Sequence, residues 1–247
     1  MRHECNWTAS LSSDAVHLTH CGGPYDLAEA NFTTGYHIRP TTLAEQAIVI
    51  FLNENPALVV GKRVLHVGIG NSSIFRAYGN QIAAFAGLTV GLPEKSYFDQ
   101  TFGRRTDVEI YLANKHDPRN YHKIEGLFDL IIDVNLKSYA CCERHFHDML
   151  AFYLDRLAFE GTILTAASGL EDGWPGNTAQ AYTPGAASDR VSQEWRILGE
   201  RGLRTLSEQY DLRLERHEIT NVAHWHGRRD SSGPPTIGHE TLWTLNK

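Results

Sequence analysis

From residue 42 onward, short apolar runs alternate with stretches of helical periodicity, and that alternation restricts the fold more than any other feature. Thr42-Leu43-Ala44-Glu45 has capping-box spacing, with an acid three residues after a hydroxyl. Ala44, Ala47, Ile48, Phe51 and Leu52 then recur at helical intervals until Asn55-Pro56 stops the pattern. Arg63 to Gly68 reads as a short buried strand, and Ser72 to Gly79 as the start of a helix. Leu88 to Leu92, Val108 to Leu112 and Phe128 to Asp133 read as the second, third and fourth strands. Cys142, Phe146, Met149, Tyr153 and Leu157 step by three or four, which gives a helix with one apolar stripe. Gly161 to Thr165 is a fifth strand. Val191, Trp195, Leu198 and Leu206 mark another helix, capped by Ser188 or Asp189. Ile219 to His226 and Glu240 to Leu245 are two late strands. Strands alternating with helices imply a parallel sheet covered by helices on both faces.

The chain has 247 residues, of which 42% are hydrophobic and 21% charged, enough to bury a full core. With no internal repeat and no low-complexity tract, residues 1–247 are expected to form a single domain. Residues 1–55 are read as an N-terminal cap. Residues 168–188 carry Gly169, Gly173, Pro175, Gly176, Pro184 and Gly185 without periodicity, and are read as an active-site loop. Acidic residues number 29 and basic residues 23, a net charge of −6, which disfavours binding to long nucleic acid. No segment approaches the roughly 18–20 apolar residues that span a bilayer, and Met1 to His20 lacks the apolar core of a secretory signal. Cys5, Cys21, Cys141 and Cys142 form no C-x-x-C pair, and the adjacent pair suits neither a zinc clamp nor an easy disulfide. The expectation is a reduced, cytoplasmic protein with no membrane, nucleic-acid or metal partner. Its oligomeric state is open, a homodimer included.

The sharpest motif is Val64-Leu65-His66-Val67-Gly68-Ile69-Gly70-Asn71-Ser72-Ser73, a strand feeding a G-x-G turn that opens a helix. Glycine lets backbone approach a ligand closely, and a helix start offers free N–H groups. The strand-before, helix-after context gives the short motif its value. A dinucleotide fingerprint would want Gly or Ala three residues after Gly70, where Ser73 stands.

In these residues the sequence resembles the class I S-adenosylmethionine-dependent methyltransferases over roughly 36–247. The resemblance implies an α/β, doubly wound, mostly parallel seven-stranded Rossmann-like sheet, with helices on both faces and a helical and loop cap at the N-terminus. It implies S-adenosylmethionine as cofactor, with His66, Gly68, Gly70, Asn71 and Ser72 in the first motif. His66 stands where the family usually has an acid. Glu94 resembles the family's ribose acid, offset because Pro93 takes the usual slot. Asp117 is similar in spacing to the adenine-contacting acid. Asp133 and Asn135 resemble the polar end of the fourth strand, near which the sulfonium sits. In an open α/β sheet, ligands bind outside the carboxyl ends of the strands at the point where strand order reverses, and 68–72, Glu94, Asp117 and 133–135 fall at such ends.

Methyl transfer is an in-line displacement in which positioning supplies much of the rate, and a base is needed only if the acceptor must lose a proton. Asn135, Tyr36 and His37 are the catalytic candidates. His145, His147, His224 and His226 are further bases to weigh against scaffold roles. His145 and His147 point to nearly opposite helix faces, whereas His224 and His226 share one strand face. Trp174, Tyr182 and Trp225 are candidates for stacking on a substrate or shielding the sulfonium. The expected function is methyl transfer to a small molecule. The alternatives are other S-adenosylmethionine chemistry (aminocarboxypropyl transfer, or cyclisation or lysis releasing methylthioadenosine), a nicotinamide oxidoreductase, and a non-catalytic nucleotide-binding protein.

Overall fold

The computed structural model describes residues 40–116, 118–137, 143–170, 199–224 and 235–247, with two short paired strands, β1 (Leu18–His20) and β2 (Gly23–Tyr25). Tyr36, His37, Asp117, all four cysteines, Trp174, Tyr182, Trp225 and His226 lie outside the described residues, as do 171–188 and the part 191–198 of the helix expected from Val191 to Leu206.

Seven strands form the main sheet: β3 (Arg63–Val67), β4 (Ala84–Thr89), β5 (Val108–Leu112), β6 (Phe128–Asp133), β7 (Leu157–Ala166), β8 (Arg213–His224) and β9 (Thr236–Asn246). Their order is β5-β4-β3-β6-β7-β9-β8. The first five in that order are mutually parallel, while β9 runs antiparallel to both β7 and β8. Strand order reverses between β3 and β6, and the carboxyl ends at such a point are where open α/β sheets bind ligands.

Five α-helices are described: α1 (Leu43–Glu54), α2 (Ser73–Tyr78), α3 (Leu92–Phe102), α4 (Glu143–Arg156) and α5 (Gly199–Gln209). Alternation along the strands sorts two cores. Val64, Phe85, Leu130, Ile132 and Leu164 face α1, α2 and α3, while Leu65, Val67, Ile131 and Ile163 face α4 and α5. On the first face Phe75, Phe98 and Phe102 pack with centroids 4.8–5.0 Å apart, a geometry that suits tilted and edge-on aromatic pairs. α1 begins at Thr42 with both halves of the capping box formed, and its apolar stripe is buried against β8 and β9.

Three boundaries differ from the sequence reading. The second strand is Ala84–Thr89 rather than Leu88 to Leu92, because the Thr89 hydroxyl accepts the Gly91 N–H and Pro93 lies in the first turn of α3. Leu157 belongs to β7, where it pairs with Phe128 while still contributing its side chain to the α4 core. The two late strands start earlier than expected, β8 at Arg213 rather than Ile219, opposite Asn246, and β9 at Thr236 rather than Glu240, opposite His224.

Candidate functional site

Burying a polar group costs free energy unless it is paired, so a crowd of buried polar residues marks a place built for something other than packing. Asn71, Ser72, Ser73, Thr89, Glu94, Asn114, His116, Asp133, Lys137, His224 and Glu240 are all buried, and all lie at or just past the carboxyl ends of the parallel strands or beside them on β8 and β9.

The turn after β3 sits at the centre of this end. Gly68 has φ +73°, is solvent-exposed, and a Cβ added to it would meet nothing within 4 Å. Gly70 has φ +50° and Ser72, a non-glycine, has φ +61°. Two positive-φ glycines fold the backbone sharply back from the strand, which is why this position reads G-x-G. Asn71 holds the turn in place. Its Oδ1 accepts the Ser73 N–H at 3.1 Å and its Nδ2 donates to Thr41 Oγ1 at 3.0 Å. Arg76 Nη2 donates to the Asn71 carbonyl at 3.3 Å and to Tyr97 Oη at 2.8 Å, tying the turn to α3. The hydroxyls of Ser72 and Ser73 are buried with no hydrogen-bond partner among the described residues. His66 is fully enclosed on β3, in register with Gly87 and Ile132 and edge-on to Phe85 at 6.3 Å, so it supports the strand beneath the turn.

Glu94 lies in the first turn of α3, 4% exposed. Its carboxylate folds back to accept the hydroxyl of Thr89, the last residue of β4. The acid that sequence places beyond the strand is thereby brought to the strand's end.

Asp133 closes β6 and is already engaged. Lys115 Nζ lies 3.1 and 2.9 Å from its two carboxylate oxygens, the Tyr153 hydroxyl donates to Oδ2 at 2.9 Å, and the Asn135 N–H reaches Oδ1 at 3.3 Å. Lys115 also donates to the carbonyls of Asn135 (2.5 Å) and Leu136 (3.2 Å). Burial holds the Lys115 ammonium below its ordinary pKa, opposed by the Asp133 charge, and burial pushes the Tyr153 phenol well above its own. Asn135 itself is only half-buried.

A second cluster lies past β7. Glu240 Oε2 accepts the Ser168 hydroxyl at 2.7 Å, and Oε1 accepts the backbone N–H groups of Ser168 and Thr241, each at 3.2 Å. Next to it, a Cβ on Gly169 would fall 2.1 Å from the Val134 carbonyl, so only glycine lets the loops after β6 and β7 touch backbone to backbone. Of the histidines, His147 Nδ1 lies 3.0 Å from the Tyr210 hydroxyl, linking α4 to the residue after α5, and His224 is buried at the end of β8. His145 falls within α4. Sequence reasoning missed Lys115, Thr89 and Glu240. Their only local signal was a polar residue at or near a strand end, and their partners are distant in the chain or not distinctive.

Among the described residues, no group of three or more His, Cys, Asp or Glu is placed to hold a metal ion, and no helix is long and apolar enough to cross a membrane.

No protein-family profile and no curated protein matches the sequence. Solved structures do match in three dimensions. A methyltransferase described as S-adenosylmethionine-dependent, from Anabaena variabilis ATCC 29413, aligns over 90% of this chain and 96% of its own, with TM-score 0.57 and 12% identity. The N-methyltransferase NodS from Bradyrhizobium japonicum WM9, in complex with S-adenosylhomocysteine, aligns over 83% and 87%, with TM-score 0.54 and 13% identity. The 1,6-didemethyltoxoflavin-N1-methyltransferase of Burkholderia thailandensis, with that compound and S-adenosylhomocysteine bound, aligns over 84% and 79%, with TM-score 0.54 and 16% identity. The chain therefore has the fold of the class I S-adenosylmethionine-dependent methyltransferases.

Proposed function

We propose that this protein is an S-adenosylmethionine-dependent methyltransferase acting on a small molecule. The observation that carries the reading is the Gly68 turn, with open space where a side chain would stand and two buried serine hydroxyls behind it that have no partner among the described residues. The residues fit the cofactor's chemistry. Gly68, Gly70, Asn71 and Ser72 offer close backbone approach and hydrogen-bonding groups, with His66 supporting them from below. Glu94, paired with Thr89, offers a carboxylate able to accept ribose hydroxyls, and Asp117 is assigned the adenine amino group. S-adenosylmethionine supplies an electrophilic methyl group on a positively charged sulfur. Asn135, both donor and acceptor, holds the reacting groups in line, while Asp133 fixes the loop that carries it. Tyr36 and His37 are the groups assigned to take a proton from an acceptor that must lose one. The closing antiparallel strand β9 favours this reading over a nicotinamide oxidoreductase with an all-parallel sheet. The Burkholderia neighbour is an N1-methyltransferase with 1,6-didemethyltoxoflavin bound and NodS is an N-methyltransferase, which makes nitrogen acceptors the first to try.

The test is incubation with S-adenosylmethionine alone and with a panel of small amines, phenols and nitrogen heterocycles, with products read by mass spectrometry. Acceptor-dependent S-adenosylhomocysteine is the expected product. Methylthioadenosine formed without an acceptor would replace methyl transfer by displacement of the aminocarboxypropyl arm. Asn135→Ala is expected to lower kcat at least tenfold while leaving S-adenosylhomocysteine affinity within about threefold, the pattern of a contact made in the transition state.

A further inference from the structure

The Lys115–Asp133 pair is more elaborate than a fold needs at a strand end. Its lysine side chain is 9% exposed and its carboxylate 2%, so both charges have been taken out of water. Breaking even is hard for such a pair, and apolar residues of similar size often serve stability as well or better. The contacts of Lys115 show what the pair secures instead. Lys115 lies in the segment following β5, and its own carbonyl accepts the Tyr121 hydroxyl at 3.1 Å. From there its ammonium crosses to the loop after β6 and binds two consecutive carbonyls, those of Asn135 and Leu136, besides the carboxylate. A lysine has three protons to give, and here all can be directed at one four-residue stretch. Asp133 adds a grip on the same stretch from below through the Asn135 N–H. On the other side Gly169 lies against the Val134 carbonyl and the Asn135 Cα, closing off the direction in which the loop would relax.

We propose that Lys115 is a positioning residue that holds Asn135 in its working orientation and couples the loop after β5 to the loop after β6. The proposal rests on the reading that both loops border the cofactor. The ammonium never touches substrate; it acts through the two carbonyls it binds. When the cofactor orders the loop after β5, Lys115 passes that order to 134–137.

The double variant Lys115→Met with Asp133→Asn tests this. It removes both charges together, so no lone buried ion is left, and the side-chain amide introduced at position 133 can accept the Asn135 N–H on its oxygen while its NH2 donates to the Tyr153 hydroxyl, which turns from donor to acceptor. The bridge between Lys115 and residue 133 and the donors to the Asn135 and Leu136 carbonyls are lost together. Hydrogen–deuterium exchange is measured on wild type and variant, with and without S-adenosylhomocysteine. The expected result is at least tenfold faster exchange at 134–137 in the variant, with β3, β4 and β6 unchanged. S-adenosylhomocysteine should bind both proteins within about threefold, yet protect 134–137 only in the wild type. Unchanged exchange at 134–137, or full ligand protection in the variant, would overturn the proposal. So would a variant that fails to fold, because the pair would then be an element of stability. If wild type fails to bind S-adenosylhomocysteine, the cofactor reading and the coupling fall together, but the ligand-free comparison still decides whether Lys115 holds the loop.

Discussion

Thr165 is fully buried on β7, and its hydroxyl has no hydrogen-bond partner among the described residues. An unpaired buried hydroxyl costs about 1–3 kcal/mol, and valine has nearly the same shape. Thr165→Val is therefore expected to stabilise the protein by about 1 kcal/mol in urea unfolding; a loss of stability would show that the hydroxyl is satisfied. His217 carries the opposite lesson about charge. Burial beside Phe51, whose ring lies 4.6 Å away, lowers its pKa below the ordinary 6.5, with Glu215 opposing the shift. The folded state then binds this proton less readily than the unfolded chain, so stability is full above pH 6.5 and falls as pH drops through that value toward the lower folded one. Melting temperatures taken from about pH 7.5 to about pH 5.5 should fall less for His217→Gln than for wild type. An identical pH slope in both would remove His217 as a contributor.

At the scale of elements, α1 was legible because every local signal agreed. Thr42 Oγ1 accepts the Glu45 N–H at 3.3 Å, the Glu45 carboxylate accepts the Thr42 N–H at 2.7 Å, and the apolar stripe read from the sequence is the buried one. Thr42→Ala should cost about 1 kcal/mol, measured by thermal or urea unfolding; no change would mean that tertiary packing alone fixes the helix start. The strands β5 and β6 were also read at their observed limits, since each is a short apolar run between turns. β4 was displaced because Val90, Gly91 and Leu92 continue its apolar character after the ladder has ended. What stops the strand is the Thr89 hydroxyl turning back to Gly91, a contact with no periodic signature.

For the whole molecule, a mostly parallel sheet and the strand ends at which its polar residues gather followed from alternation and the strand–glycine–helix motif, whereas the wiring among those residues did not. Pattern reading locates Gly68, Glu94 and Asp133 because they sit at strand ends. It does not show that Glu94 reaches back to Thr89 or that Asp133 is occupied by a lysine 18 residues earlier. Those facts depend on which loops the fold brings side by side. Glu240 was invisible for the same reason, since its partner Ser168 lies 72 residues away. The central claim is that the turn after β3 is a cofactor cradle, and isothermal titration with S-adenosylhomocysteine tests it most directly, using wild type and Gly68→Asn. Asparagine tolerates positive φ better than other side chains, so the variant should keep its far-UV circular dichroism while placing atoms in the open space before the turn. A cradle predicts one-to-one binding to wild type, at least tenfold weaker binding to the variant, and no comparable heat with NAD or NADP. Tight NAD binding, or S-adenosylhomocysteine affinity unaffected by Gly68→Asn, would contradict it.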